Sequence, residues 1–226
     1  IYQKFDAIAA CSAGCKDAFS AVFPELKQKV QVVRNCHDYE RLHHDAAQAP
    51  AALSKTSVNV VTLSRFGREK GVLRGIQAAA DVQRAGKKLR YYIIGNGVEY
   101  PKAAAMVKRL GLETSVTLLG EMLNPYGYLK AADVLLIPSF SEAAPMVIGE
   151  AASLGTPVLS TRTSSAEEMI VCSGYGWVCD NTQVGITEGL ERLLANPEIL
   201  KSHRESLEKM VFTNSEAITE FRHLIS

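Results

Sequence analysis

"ADVLLIPSFSEAAPMVIGEAASLGTPVLST", residues 132–161, decides the fold. It opens on Asp133–Pro138, a run of Val, Leu and Ile with little polar alternation, as a strand covered on both faces should read. Small and polar residues follow at 139–145, "SFSEAAP". A helical stretch, Pro145–Leu154, then stops at Gly155 and Pro157, two residues that end helices. Pro157–Ser160 resumes as a second strand. Strand, helix and strand in so short a span make one unit of a parallel sheet.

The same alternation extends in both directions. Further strands are expected at Asp6–Cys11, Val30–Asn35, Val58–Ser64, Leu89–Ile94, Ser115–Leu119 and Gly176–Cys179. Helices are expected at Gly71–Arg84, Glu99–Leu110, Val184–Ala195 and from Pro197 to about Phe212. The fold class is therefore α/β, a doubly wound parallel sheet of Rossmann-like type. The segment "HHDAAQAPAALSKTS", 43–57, interrupts the pattern and reads as a loop. His43 and His44, adjacent and without a third partner, read as solvated loop residues rather than metal ligands.

Bulk properties narrow the function. The chain has 226 residues, 47% hydrophobic and 22% charged, with a net charge of +1. That balance suits a folded domain and leaves no electrostatic footprint for nucleic acid or an anionic membrane. No apolar run is long enough to cross a bilayer, and no signal peptide is visible. Cys11, Cys15, Cys36, Cys172 and Cys179 are odd in number and lack zinc-type spacing, so they read as reduced, mostly buried thiols of a cytoplasmic protein.

In an open parallel sheet, ligands bind outside the carboxyl ends of the strands. The segments there are "RFGREKG" with Arg65, Arg68 and Lys70, "GNG" at 95–97, "GEM" at 120–122, "SFSEAAP" at 139–145 and "TRTSSAEE" at 161–168. Cations, glycines, small side chains and acids suit a nucleoside diphosphate. Arg65 can grip phosphate with two parallel hydrogen bonds, and Lys70 acts as a point charge. Ala143 and Ala144 let backbone N–H groups approach an anion at a helix start, with Pro145 in the first turn. The same residues also read as an ordinary capped helix start, with Ser141 or Glu142 as the cap. No GxxxxGK[ST], complete GxGxxG, GxSxG or HExxH occurs, and no Asp-x-Asp pair is present to hold a divalent ion.

"SRFGREKG", "GNG", "VTLLGEM", the quoted stretch 132–161 and "EEMI…GYGWVCDN" together resemble the carboxyl-terminal half of the family 4 glycosyltransferases. The resemblance runs in order over roughly 30–195. Its most specific element is the E-x7-E pattern from Glu142 to Glu150. Those are retaining enzymes of the GT-B architecture, in which two Rossmann-like domains face each other and the carboxyl-terminal one binds the sugar nucleotide.

The resemblance implies a role for each matched residue. Arg65 and Lys70 would hold the diphosphate and stabilise its departure, with Gly95 and Gly97 keeping a loop close to it. Glu142 would bind hydroxyls of the transferred sugar, and the backbone of Ala143, Ala144, Pro145 and Met146 would face phosphate and sugar. Glu150 would accept from both ribose hydroxyls, while Gly120–Met122 would line the base. Glu142, Arg65 and Lys70 would be the catalytic set, with retention of configuration and neither a metal nor a cofactor.

The donor implied is a UDP-sugar. The acceptor implied is a glycan or lipid-linked saccharide of an envelope polymer, met in the cytoplasm or peripherally at the inner membrane face. In this division residues 1–29 are a remnant of an acceptor domain that is otherwise missing, 30–57 the crossover, 58–212 the donor domain and 213–226 a final helix. Cys36 stands where the family usually has glycine, and Ala143 replaces a frequent glycine after the first glutamate. Two alternatives stay open: another GT-B enzyme, such as a sugar-nucleotide epimerase or a phosphorylase, and a non-catalytic nucleotide-sugar-binding or interaction module.

Overall fold

The computed structural model describes residues 1–226. A short strand β1 (Ile8–Ala10) leads into α1 (Ala13–Val22), and β2 (Val30–Val32) into α2 (Tyr39–Gln48). The main unit runs β3 (Val58–Leu63), α3 (Val72–Arg84), β4 (Leu89–Ile94), α4 (Tyr100–Arg109), β5 (Val116–Gly120) and α5 (Tyr126–Ala131). It continues with β6 (Val134–Ile137), α6 (Val147–Ser153), β7 (Val158–Thr161) and β8 (Gly176–Cys179). Three helices close the chain: α7 (Gln183–Ala195), α8 (Pro197–Leu207) and α9 (Ser215–Ile225).

Strands β3 to β8 form one parallel sheet in the order β5-β4-β3-β6-β7-β8, while β1 and β2 pair in a separate two-stranded sheet. The chain enters the large sheet at β3, winds outward to β5, and returns to lay β6 on the other side of β3. Val60 pairs with Val134, and Val61 with Leu135. The winding direction reverses between these two strands. Their carboxyl ends therefore diverge into connections on opposite faces, which opens a crevice between them.

The continuous apolar character of the strands has a direct cause. Val60, Val134, Leu136 and Leu159 face the core under α3, α4 and α7. Their neighbours Val61, Leu135, Ile137 and Val158 face a second core under α2, α5 and α6. Both pleat directions are buried, so alternation disappears. Each such side chain stabilises the fold by about 1.5–3 kcal/mol.

Four sequence expectations need correction. Residues 43–57 are not all loop, because α2 covers Tyr39–Gln48. Asp38 caps it, accepting from the Arg41 amide at 3.0 Å, and Leu42 and Ala46, one turn apart, are its buried stripe. His43 and His44 lie on its exposed side. Second, α6 begins at Val147 with no side-chain cap, so Pro145 stands outside the helix and neither Ser141 nor Glu142 caps it. Third, α8 ends at Leu207 rather than near Phe212. Fourth, no cysteine is fully buried: Cys36 and Cys172 are exposed, and the other three are half-buried.

The final helix docks through charge. The Arg34 guanidinium, just after β2, contacts Glu168 at 3.2 Å, Glu216 at 2.9 Å and Glu220. The apolar side chains of α9 are less well covered, with Phe221 52% and Ile225 67% exposed. No helix is long and apolar enough to cross a membrane.

Candidate functional site

The crevice between β3 and β6 brings together residues far apart in sequence. After β3 the chain makes a tight turn over Arg68–Lys70 and enters α3 at Gly71, whose φ of 61° is left-handed. A Cβ there would lie 2.1 Å from the Pro138 carbonyl oxygen at the end of β6. Only glycine lets the two strand ends approach so closely. The approach places Lys70 beside the loop after β6, where its Nζ lies 2.9 Å from each carboxylate oxygen of Glu142. Ser139 Oγ donates to the same carboxylate at 2.7 Å. The Glu142 side chain is 8% exposed and that of Lys70 20%.

This pair lies in a cavity of about 220 Å³, bounded by Ser64, Arg65, Lys70, Ser139, Glu142, Pro145 and Met146. Arg65 projects freely from its rim, 84% exposed, with Glu69 4.0 Å away. A second cavity of about 280 Å³ adjoins it, because Met146 borders both. Glu150 lines the second cavity with His37, Asp38, Arg41, Asp45, Leu123 and Tyr126. The two glutamates are thus in neighbouring hollows along one side of the loop and helix that join them.

Their electrostatic settings differ. Glu142 is saturated by a lysine and a hydroxyl. The Glu150 carboxylate has no ion-pair or hydrogen-bond partner in the protein, and burial pushes its pKa above the usual carboxylate range. Burial also pulls the His37 imidazole down, and pushes the Tyr126 phenol up with the help of the nearby Glu150 charge. A half-buried carboxylate without donors is costly in isolation and well suited to accept from a diol.

The remaining sequence candidates divide by position. Gly95 and Gly97 lie behind the Arg65 loop. Gly95 has φ 134°, and a Cβ there would stand 1.9 Å from the Ser64 carbonyl oxygen. Phe66 N–H donates to the Asn96 carbonyl at 2.9 Å and Gly95 N–H to that of Gly120 at 2.7 Å. These glycines lock three rim loops together and line neither cavity. Met122 packs against the core, whereas its neighbour Leu123 borders the second cavity. Ala143 and Ala144 form the span between Glu142 and Pro145.

His37, Arg41, Asp45, Leu123 and Tyr126 are not among the site residues expected from the sequence. For Arg41 and Asp45 the signal was Asp38 as an N-cap three residues before Arg41, which would have exposed α2 and its charged face. No group of three or more His, Cys, Asp or Glu side chains gathers to hold a metal ion. Size alone does not mark the site. A larger hollow of about 620 Å³ opens beside Asn59, Asp133 and Arg204, at the amino ends of β3 and β6.

Comparison with known proteins bears on the family and the fold. The family model described as "Glycosyl transferases group 1" matches residues 45–210. An N-acetylgalactosamine-N,N'-diacetylbacillosaminyl-diphospho-undecaprenol 4-alpha-N-acetylgalactosaminyltransferase of Campylobacter jejuni is 26% identical over 206 residues, covering 90% of this chain and 55% of its own. Among solved structures, a sucrose-phosphate synthase from Thermosynechococcus elongatus superposes with a TM-score of 0.79 at 19% identity, over 97% of this chain and 57% of the other. HepE of Anabaena, solved with UDP and glucose, gives 0.76 at 18% identity, over 97% and 62%. At such identities the likeness concerns the fold, the Rossmann-like one of GT-B glycosyltransferases. The chain spans 43% and 38% of the length of the first two curated relatives it matches.

Proposed function

The chain belongs to the group 1 glycosyltransferase family, and on that premise we propose that it carries the donor-binding half of a sugar-transferring enzyme. The donor lies across the two cavities. Its ribose diol sits on Glu150, its diphosphate on Lys70 and Arg65, and its sugar on Glu142. One observation carries this reading: an unpartnered, half-buried carboxylate and a lysine–glutamate pair occupy adjoining cavities that share Met146, at the point where the sheet reverses its winding.

The chemistry follows from these positions. An acceptor hydroxyl attacks the anomeric carbon, the bond from that carbon to the diphosphate oxygen breaks, the nucleoside diphosphate departs with the electron pair, and the hydroxyl proton passes to the departing phosphate oxygen. Lys70 and Arg65 lie where that charge develops, and stabilisation placed there lowers the barrier most. For Lys70 to do so it must share its charge between Glu142 and phosphate. Its three donors allow this, since two are committed to the Glu142 oxygens and one remains. Transfer with retention and without a metal belongs to the same proposal, and rests on the family resemblance of the E-x7-E stretch.

A UDP-sugar is the donor we infer, a reading supported by the UDP bound in the Anabaena structure. The acceptor we infer is a glycan or lipid-linked saccharide, supported by the diphospho-undecaprenol substrate named in the Campylobacter relative. A cytoplasmic enzyme working peripherally at the inner membrane face would meet such an acceptor. Residues 1–29, with β1 outside the large sheet, are proposed to belong to the acceptor side, whose larger part lies beyond this chain.

Calorimetric titration with UDP, GDP and ADP tests the proposal. Binding of at least one at micromolar to sub-millimolar concentration is expected. A folded sample that binds none at millimolar concentration would remove its basis.

A further inference from the structure

Between the two glutamates' cavities, three consecutive carbonyl groups are each held by a side chain from a different part of the chain. Ser164 Oγ donates to the Glu142 carbonyl at 2.9 Å, Ser12 Oγ to that of Ala143 at 2.9 Å, and Asn35 Nδ2 to that of Ala144 at 3.2 Å. Ser164 follows β7, Ser12 caps α1, and Asn35 follows β2. No regular structure includes residues 142–145, and besides these three side chains the Cys15 thiol donates to the Ala143 carbonyl at 3.6 Å. The N–H groups of Ala143, Ala144 and Met146 donate to no acceptor in the protein. The carbonyls of this loop are tied and its amides are free.

We propose that Ser12, Asn35 and Ser164 are positioning residues that orient the 142–146 backbone so that its free N–H groups address the donor diphosphate. This rests on the donor-site reading given above. A backbone with unpaired, roughly convergent N–H groups attracts an anion. It does so well only if the peptides are held beforehand, because amides that must reorganise give part of their interaction back. With the carbonyls left unanchored, the peptides of Ala143 and Ala144 are free to flip and present an oxygen to the phosphate. Two of the three anchors, Ser12 and Asn35, come from the leading segment with the small sheet. The geometry of the donor loop is thereby tied to the placement of that segment.

The test compares a nucleoside diphosphate with its nucleoside on the full chain. UDP and uridine, GDP and guanosine, and ADP and adenosine are titrated into the parent, Ser164→Ala, Asn35→Ala and Ser164→Thr. Removing one neutral hydrogen bond should weaken the diphosphate by about 3–10-fold. The nucleoside should be unaffected, because its contacts lie at Glu150. Ser164→Thr, which keeps the hydroxyl, should bind as the parent does. Ser164 is exposed, so its alanine variant should melt as the parent does and remain a fair test of binding. Two results overturn the positioning role: variants that bind the diphosphate as tightly as the parent, or variants that lose diphosphate and nucleoside in equal proportion. A parent that binds no nucleoside diphosphate overturns the donor-site reading itself, and the proposal with it.

Discussion

Lys70 Nζ lies 2.9 Å from both carboxylate oxygens of Glu142, 72 residues further along the chain. The contact exists because β3 and β6 are neighbours in the sheet although β4 and β5 separate them in sequence. It neutralises a carboxylate that burial would otherwise penalise. It also sets side by side the cation proposed for phosphate and the acceptor proposed for sugar hydroxyls.

Lys70→Met leaves Glu142 buried with only Ser139 as donor. Denaturant unfolding should show a loss of about 1–3 kcal/mol, since the stranded charge keeps its desolvation cost. Lys70→Met/Glu142→Gln should regain much of that loss, because no bare charge remains. A double variant as unstable as the sum of the single ones would mean that the pair is not coupled in solution.

In ligand binding, Lys70→Met separates the two ends of the donor. Affinity for UDP should fall by roughly 10–150-fold, the range for one charged contact, with uridine unchanged. Equal losses for both ligands would show that the substitution disturbs the second cavity too.

Glu150 should show a conflict between stability and binding. Burial raises its folded pKa above the unfolded value, so its charge destabilises the fold once ionised. That cost is absent below the unfolded pKa, grows as pH rises from the unfolded to the folded pKa, and is complete above it. Glu150→Gln should therefore melt about 1–3 °C higher near pH 7 and show no such advantage at pH 4. The same variant should bind both uridine and UDP more weakly. In the parent, nucleoside binding should weaken on acidification at a pH above the ordinary carboxylate range, as Glu150 takes up a proton. An unchanged melting point with unchanged uridine affinity would remove Glu150 from the site.

Thiol reactivity offers an independent check of the packing. Cys36 and Cys172 are exposed and should react first with a thiol reagent in the native protein. Cys179 should be slowest, since burial pushes its thiol up to about 11 and the thiolate is the reactive form. A fast phase that included Cys179 would contradict the packing of β8 against α7.

The sequence made the sheet legible, and the reason is physical. Strands buried on both faces are short, apolar and bounded by helix-ending Gly and Pro, as at Gly155 and Pro157. Helices α2 and α5 escaped notice because each buries only a narrow stripe. In α2 that stripe is Leu42 and Ala46, set among His, Asp and Arg. For the site, Arg65, Lys70 and Glu142 could be placed on one rim from strand ends alone, whereas Glu150, inside α6, was implied only by the family resemblance. Pairing Lys70 with Glu142 depends on strand order, which no local pattern encodes. The three side chains on the 142–144 carbonyls come from residues 12, 35 and 164, and only the assembled fold brings them together.

The most direct measurement is a crystal structure of the chain with a UDP-sugar bound. Both ribose hydroxyls should lie within about 3 Å of the Glu150 carboxylate, and the diphosphate between Lys70 and the amides of residues 143–146. A nucleotide bound elsewhere, or seated with its phosphates at Glu150, would contradict that placement.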